Sequence, residues 1–206
     1  ATQKNGSKRY YHTAITPVIL SPNQSDVIPL APEFVVPQDG VDKQDCELSA
    51  SKRWLFRERQ QLPENVTILG DDLYCHQPWC EALIAQDLNF ILVCKPTSHQ
   101  TLYEWIEDFE REGTIEHFET RRWTGKKHIT TRYRFINQVP LRNSDDAMYV
   151  NWCEVQEMDD NGKTLYLNAF ATNFELNKDN ITEIVESGRS RWKIENENNN
   201  TLKTKG

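Results

Sequence analysis

Val66-Thr67-Ile68-Leu69-Gly70-Asp71-Asp72, answered downstream by Phe90-Ile91-Leu92-Val93-Cys94, is the text that decides the fold. Both are short apolar runs without alternation, the pattern of strands covered on both faces. Between them Pro78 opens a helix expected to run to about Asp87, with Leu83 and Ile84 facing inward. Strand, helix, strand over so short a span calls for a parallel pair joined by a right-handed crossover. Acidic residues just past a buried parallel strand sit at the mouth of the sheet, where α/β folds place ligands. Asp71 and Asp72 stand there, and Gly70 is expected to let the backbone turn so that a carboxylate faces the mouth. Two roles are open to them: capping the helix that follows, or holding a metal ion.

Upstream, Asn5-Gly6 signals a hairpin leading into an alternating strand from Arg9 to Leu20, rich in Tyr, Thr, Ile and Val. A third short strand is expected at about Asp26 to Leu30, followed by a loop in which Phe34-Val35-Val36 pack down. From about Asp42 to Gln61 the periodicity becomes helical, with Cys46, Ala50, Trp54 and Leu55 on one side, and Pro63 stops it. Downstream, Ser98 is positioned to cap a helix through Glu112 that turns Leu102, Trp105, Ile106 and Phe109 inward and closes at Gly113. Residues 115–120, 128–137, 148–157 and 163–172 then read as antiparallel strands joined by turns. Asn180, with Glu183 three residues on, opens a terminal helical region.

That region carries Arg189-Ser190-Arg191-Trp192-Lys193-Ile194-Glu195. At helical spacing Arg191 and Glu195 are one turn apart on the same side, while Trp192 and Leu202 can pack inward. A solvated helix would scatter such charges. An arginine and a glutamate facing one polar site call for a second carboxylate from elsewhere, and Asp71 is the candidate.

The 206 residues, 37% of them hydrophobic, suffice for one core with a modest insertion. No run approaches the roughly 18 apolar residues of a membrane span, and the first residues do not read as a signal peptide. A net charge of −7 argues against a surface that coats nucleic acid generally. It is compatible with a nuclease-like core whose metal-binding carboxylates push the balance acidic. The five cysteines without a signal peptide suggest free thiols in a reducing compartment. Cys75 and Cys80 stand at a gap that zinc can use, but no second ligand pair follows, so both are expected as small buried apolar groups.

Three strands, a helix, a strand ending in Asp, a helix and another strand is the order of ribonuclease-H-like domains. Residues 10–206 resemble the catalytic domain of insertion-sequence DDE transposases that carry a β-rich insertion before the glutamate. The text that carries the resemblance includes Tyr10-Tyr11-His12, Leu30-Ala31-Pro32-Glu33-Phe34, Asp39-Gly40 and Lys43-Gln44-Asp45-Cys46-Glu47. It continues with Gly70-Asp71-Asp72-Leu73-Tyr74, Arg191-Trp192-Lys193-Ile194-Glu195 and Leu202-Lys203.

The resemblance implies a mixed α/β sheet with flanking helices, divided into a core at 1–112, an antiparallel β insertion at 113–175 and a catalytic helix region at 176–206. It implies Asp71 and Glu195 as ligands of magnesium or manganese, with Asp72 the alternative to Asp71. Arg191 and Lys203 would contact phosphate. Trp123 and Trp152 would stack on a displaced base, or else serve as buried packing. The implied activity is metal-dependent cleavage and transfer of DNA strands. The implied partners are transposon-end and target DNA and a second copy of the chain, in a prokaryotic cytoplasm at the nucleoid. The chain departs from the pattern at Gly188, where the family has Tyr. It departs again at Lys203, which follows Glu195 by eight positions instead of seven and so turns roughly 80° around a helix. The family's first aspartate falls on a strand upstream of Ala1, so the chain is expected to be a piece of a longer protein, inactive alone. The other reading open at this point is an inactive remnant that binds DNA or the full-length enzyme.

Overall fold

The computed structural model describes residues 12–24, 26–36 and 45–194. Its frame is a six-stranded mixed sheet in a mixed α/β arrangement. Ten strands occur among the described residues: β1 Ala14–Ile15, β2 Val18–Leu20, β3 Val27–Pro29, β4 Glu33–Phe34, β5 Thr67–Gly70, β6 Asn89–Val93, β7 Glu116–Trp123, β8 His128–Pro140, β9 Tyr149–Asp159 and β10 Thr164–Thr172. Four α-helices accompany them: α1 Glu47–Glu58, α2 Gln77–Ile84, α3 Gln100–Glu112 and α4 Ile181–Arg189. None is long and apolar enough to cross a membrane.

The parallel pair expected from the two apolar runs is present. β5 and β6 lie in register Thr67↔Asn89 to Gly70↔Leu92, with α2 between them. The antiparallel strands also form, as one meander, and the sheet order is β5-β6-β10-β9-β8-β7. β10 hydrogen-bonds antiparallel to β6, so the strands after α3 continue the sheet that the parallel pair begins. β5 and β7 are its two edges.

Alternation along β6 explains why the whole run is apolar. Phe90 and Leu92 join the core under α1, α2 and α3, with Trp54, Leu83, Leu102 and Trp152. Ile91 and Val93 join the core on the other face, with Phe135, Phe170 and the α4 residues Ile181, Ile184 and Val185. A strand with helices on both faces has no side to give to water.

α4 seats close to the sheet because Gly188 allows it. A Cβ there would stand 2.7 Å from Phe170 Cε1 and 3.0 Å from Ile91 Cγ2. This accounts physically for the glycine at a position where the resembled family has a large aromatic. At the other end of α3, Gly113 takes φ 73° and closes the helix, with the Thr114 N–H bonded to Phe109 O at 3.0 Å.

Several local expectations are corrected. The single strand expected from Arg9 to Leu20 is two short strands where described, interrupted at Pro17, which has no N–H to give a ladder. β1 pairs with β4 and β2 with β3; none of these four joins the main sheet. Phe34 and Val36 are each 53% exposed and do not pack down. Ile84 and Trp105, expected inward, are substantially exposed, although Leu83, Leu102 and Ile106 are buried as expected. The side chain of Ser98 does not cap α3: it donates to Asp72 Oδ2, and His99 takes the capping position without a side-chain bond. Helix α1 begins at Glu47, with Cys46 as its cap. Asn180 does open α4, but its amide reaches back to Glu175 O instead of capping forward.

The segment after α4 reaches the turn between β2 and β3. Lys193 is buried, and its Nζ donates to Ser21 O at 2.7 Å, Pro22 O at 2.9 Å and Gln24 O at 2.5 Å. Three donors meet three carbonyls, so the ammonium's hydrogen-bonding capacity is filled by the turn between β2 and β3.

Candidate functional site

The carboxyl ends of β5 and β6 lie side by side because the two strands are parallel and in register. Whatever follows each strand is therefore brought to one place. Gly70, the last residue of β5, is needed there for close approach. A Cβ would meet Leu92 Cδ2 at 2.7 Å and Tyr74 Cβ at 3.0 Å, whereas its φ lies outside the left-handed region, so the expected role in turning the backbone is replaced by one in packing.

The two aspartates that follow divide their work. Asp71 is exposed and caps the 3-10 turn Asp72–Tyr74, its Oδ1 accepting the Leu73 N–H at 3.0 Å. Asp72 points the other way. Its Oδ1 accepts the Lys95 N–H at 2.7 Å, its Oδ2 accepts the Ser98 hydroxyl, and Oδ1 stands 3.6 Å from His99 Nε2. Asp72 thus ties the end of β5 to the end of β6 and the start of α3. With both oxygens engaged it is a structural carboxylate, which leaves Asp71 as the one able to meet a ligand from solvent.

Beneath Asp72 lies a buried cluster that the sequence reading missed. Ligand atoms of Cys75, Cys94 and His99 all lie within 4.8 Å of one another. Both thiols are fully buried and His99 is 6% exposed. The neighbouring Cys94 thiol, then burial, holds the Cys75 thiol well above its ordinary range. Burial alone would lower the pKa of His99, but Cys75 and Asp72 outweigh it and hold the imidazole above its ordinary value. His99 Nε2 has no hydrogen-bond partner. Cys80 is buried as expected but stands outside this cluster, and the cysteine that joins Cys75 is Cys94. The signal was in the topology: Cys94 directly follows β6, as Asp71 follows β5.

On the outer side of β5 runs a mainly apolar groove of about 370 Å³. Leu20, Trp54, Thr67, Leu69, Ser190 and Ile194 contribute to its walls. The segment beyond α4 thus reaches the strand that ends before Asp71. It does so through a 3-10 turn at Ser190–Trp192, which holds the half-buried Arg191, and Trp192 is 47% exposed instead of packed inward. Glu195, Leu202 and Lys203 lie outside the described residues.

Trp123 ends β7, 59% exposed, with its ring 4.8 Å from that of His128. β7 and β5 are opposite edges of the sheet, about 24 Å apart at five strand spacings, so Trp123 and Asp71 do not share a pocket. Trp152 is fully buried, edge-on to Tyr103 with Arg134 over its ring, and packing is its role. Several basic residues of the meander are engaged by carboxylates, Arg121 by Asp160, Arg132 by Glu119 and Arg134 by Glu110 and Glu154, and Arg189 of α4 is engaged by Glu157 of β9.

No family model matches the chain, and no curated protein matches it.

Proposed function

We propose that the chain is the catalytic core of a DDE transposase with ribonuclease-H-like architecture, acting on transposon-end and target DNA as a homodimer in a prokaryotic cytoplasm. The observation that carries this reading is the groove shared by Leu69 and Ile194. It brings the residue just before Glu195 to the strand that ends just before Asp71. The parallel pair with an exposed carboxylate past its first strand supports the same reading.

Asp71 fits a hard divalent ion, magnesium or manganese: it is an exposed oxygen donor with one oxygen held by the Leu73 N–H. When bound at such a site, the ions supply charge neutralisation at a phosphodiester and a more acidic attacking water or 3′-hydroxyl. The protein's own contribution is positional. Asp71 and Glu195 hold the site from two elements, Arg191 and Lys203 bind phosphate, and Trp123 contacts a more distant part of the same DNA. The reading requires a further aspartate from a strand upstream of Ala1.

An inactive remnant that binds DNA is the second reading.

The test is cleavage of end-containing DNA with magnesium or manganese, by the chain and by the chain extended upstream. Cleavage by the extended form, lost at least about 100-fold in both Asp71→Asn and Glu195→Gln, supports the first reading. Equal cleavage by the wild type and Glu195→Gln refutes it. DNA binding without cleavage by any form favours the remnant.

A further inference from the structure

We propose that Cys75, Cys94 and His99 form a zinc site that fastens the carboxyl ends of β5 and β6 to the start of α3. The site is distinct from the carboxylate site above and does not rest on it.

Four observations carry the proposal. Two thiols and an imidazole converge with their ligand atoms within 4.8 Å, Cys75 from the turn after β5, Cys94 and His99 from the two ends of the connection between β6 and α3. On a tetrahedral zinc, sulfur and nitrogen ligands stand roughly 3.5–3.8 Å apart, so a small contraction completes the set. His99 Nε2 is buried and has no hydrogen-bond partner, an arrangement rarely left standing in a protein interior. Asp72 Oδ1 lies 3.6 Å from that nitrogen while both Asp72 oxygens are fixed by Lys95 N–H and the Ser98 hydroxyl. A carboxylate beside Nε2 is placed to take the ring N–H that remains when Nδ1 is the ligand, the usual partner that fixes a ligating imidazole. Finally, a cleft lined by His76, Ser98, His99 and Arg142 opens beside His99, giving an ion a way in and a water the fourth position.

Packing of two small apolar thiols would explain Cys75 and Cys94 but not a buried His99 Nε2 left without a hydrogen bond beside them. The donor set also names the metal. Two thiolates and an imidazole select zinc over magnesium or calcium, which take oxygen.

The experiment uses the full chain, stripped of metal and kept reduced, titrated with cobalt(II) and then zinc(II). One equivalent of cobalt should give the intense ligand-field bands of a tetrahedral site with a thiolate-to-cobalt charge-transfer band, both abolished by one equivalent of zinc. Cys94→Ser should lose about half the charge-transfer intensity. Asp72→Asn should weaken binding about 10–100-fold while keeping the band. Cys46→Ser, at an exposed thiol outside the cluster, should change nothing. A wild-type protein that gives no charge-transfer band overturns the proposal, and that result needs no variant to fold. An unchanged band in a folded Cys94→Ser protein, or a quantitative Cys75–Cys94 disulfide with no metal bound, overturns it equally.

Discussion

Adding one methyl group at Gly188 tests how the helix that leads to the candidate site is seated. In Gly188→Ala the new Cβ would stand 2.7 and 2.9 Å from Phe170 Cε1 and Cδ1, and 3.0 Å from Ile91 Cγ2. Phe170 is fully buried and Ile91 is 3% exposed, both on paired strands, so neither can swing aside. The helix must lift instead. Overpacking of this kind costs about 1–3 kcal/mol. Alanine's better helix propensity returns about 1 kcal/mol. The net expectation is a loss of up to about 2 kcal/mol, seen as a lower urea midpoint at unchanged slope. For a domain of this size each kcal/mol lowers Tm by about 2–4 °C. Combining Gly188→Ala with Phe170→Leu should cost less than the two separate losses added together, because the smaller side chain makes room for the methyl. A Gly188→Ala protein more stable than the wild type would refute the close-seating argument, since propensity would then have outweighed contact.

Two further outcomes follow from surface and titratable groups. Asp45, hydrogen-bonded by Arg53 at 2.8 Å, has its carboxyl lowered from 3.8 to about 2, chiefly by that arginine. A depressed folded-state pKa contributes stability that is complete above 3.8 and lost as pH falls through about 2. The urea midpoint should therefore decline across that window, and less steeply in Arg53→Met; identical profiles would contradict the assignment. Trp123→Ala, at an exposed ring, should leave the thermal midpoint within about 0.5 kcal/mol of wild type. Under the proposed function it should weaken single-stranded DNA binding by about 1–3 kcal/mol per stacked base, and unchanged affinity by fluorescence anisotropy would remove Trp123 from the DNA path.

The sequence was legible where one period dominated. Phe90-Ile91-Leu92-Val93 could only be a strand covered on both faces, and the meander's turns were marked by Thr124-Gly125 and Asp159–Gly162. It was less legible where a side chain had a choice of partner. Ser98 looked like a helix cap, yet Asp72 offers its hydroxyl proton a carboxylate across the mouth, and that strong charge-assisted bond turns the side chain toward Asp72 and away from the amides of α3. The Cys75–Cys94–His99 cluster was invisible to spacing because a whole helix separates its first two members in sequence. Only the parallel register makes them neighbours. Around Arg191, Ser190–Trp192 winds as a 3-10 turn, near 3.0 residues per turn instead of 3.6, so side chains there depart from α-helical spacing, while Glu195 lies outside the described residues.

The Lys193 ammonium gives the fold a clasp that closes nearly the whole chain into a ring. Its three acceptors lie 169 to 172 positions away in sequence, so closing it costs the chain more entropy than a local contact would. An amine with its protons all spoken for is a poor nucleophile toward an acylating reagent, whereas a released one is a good one. The acylation rate of this single lysine, compared with that of exposed lysines, is therefore a clock for how often the clasp lets go.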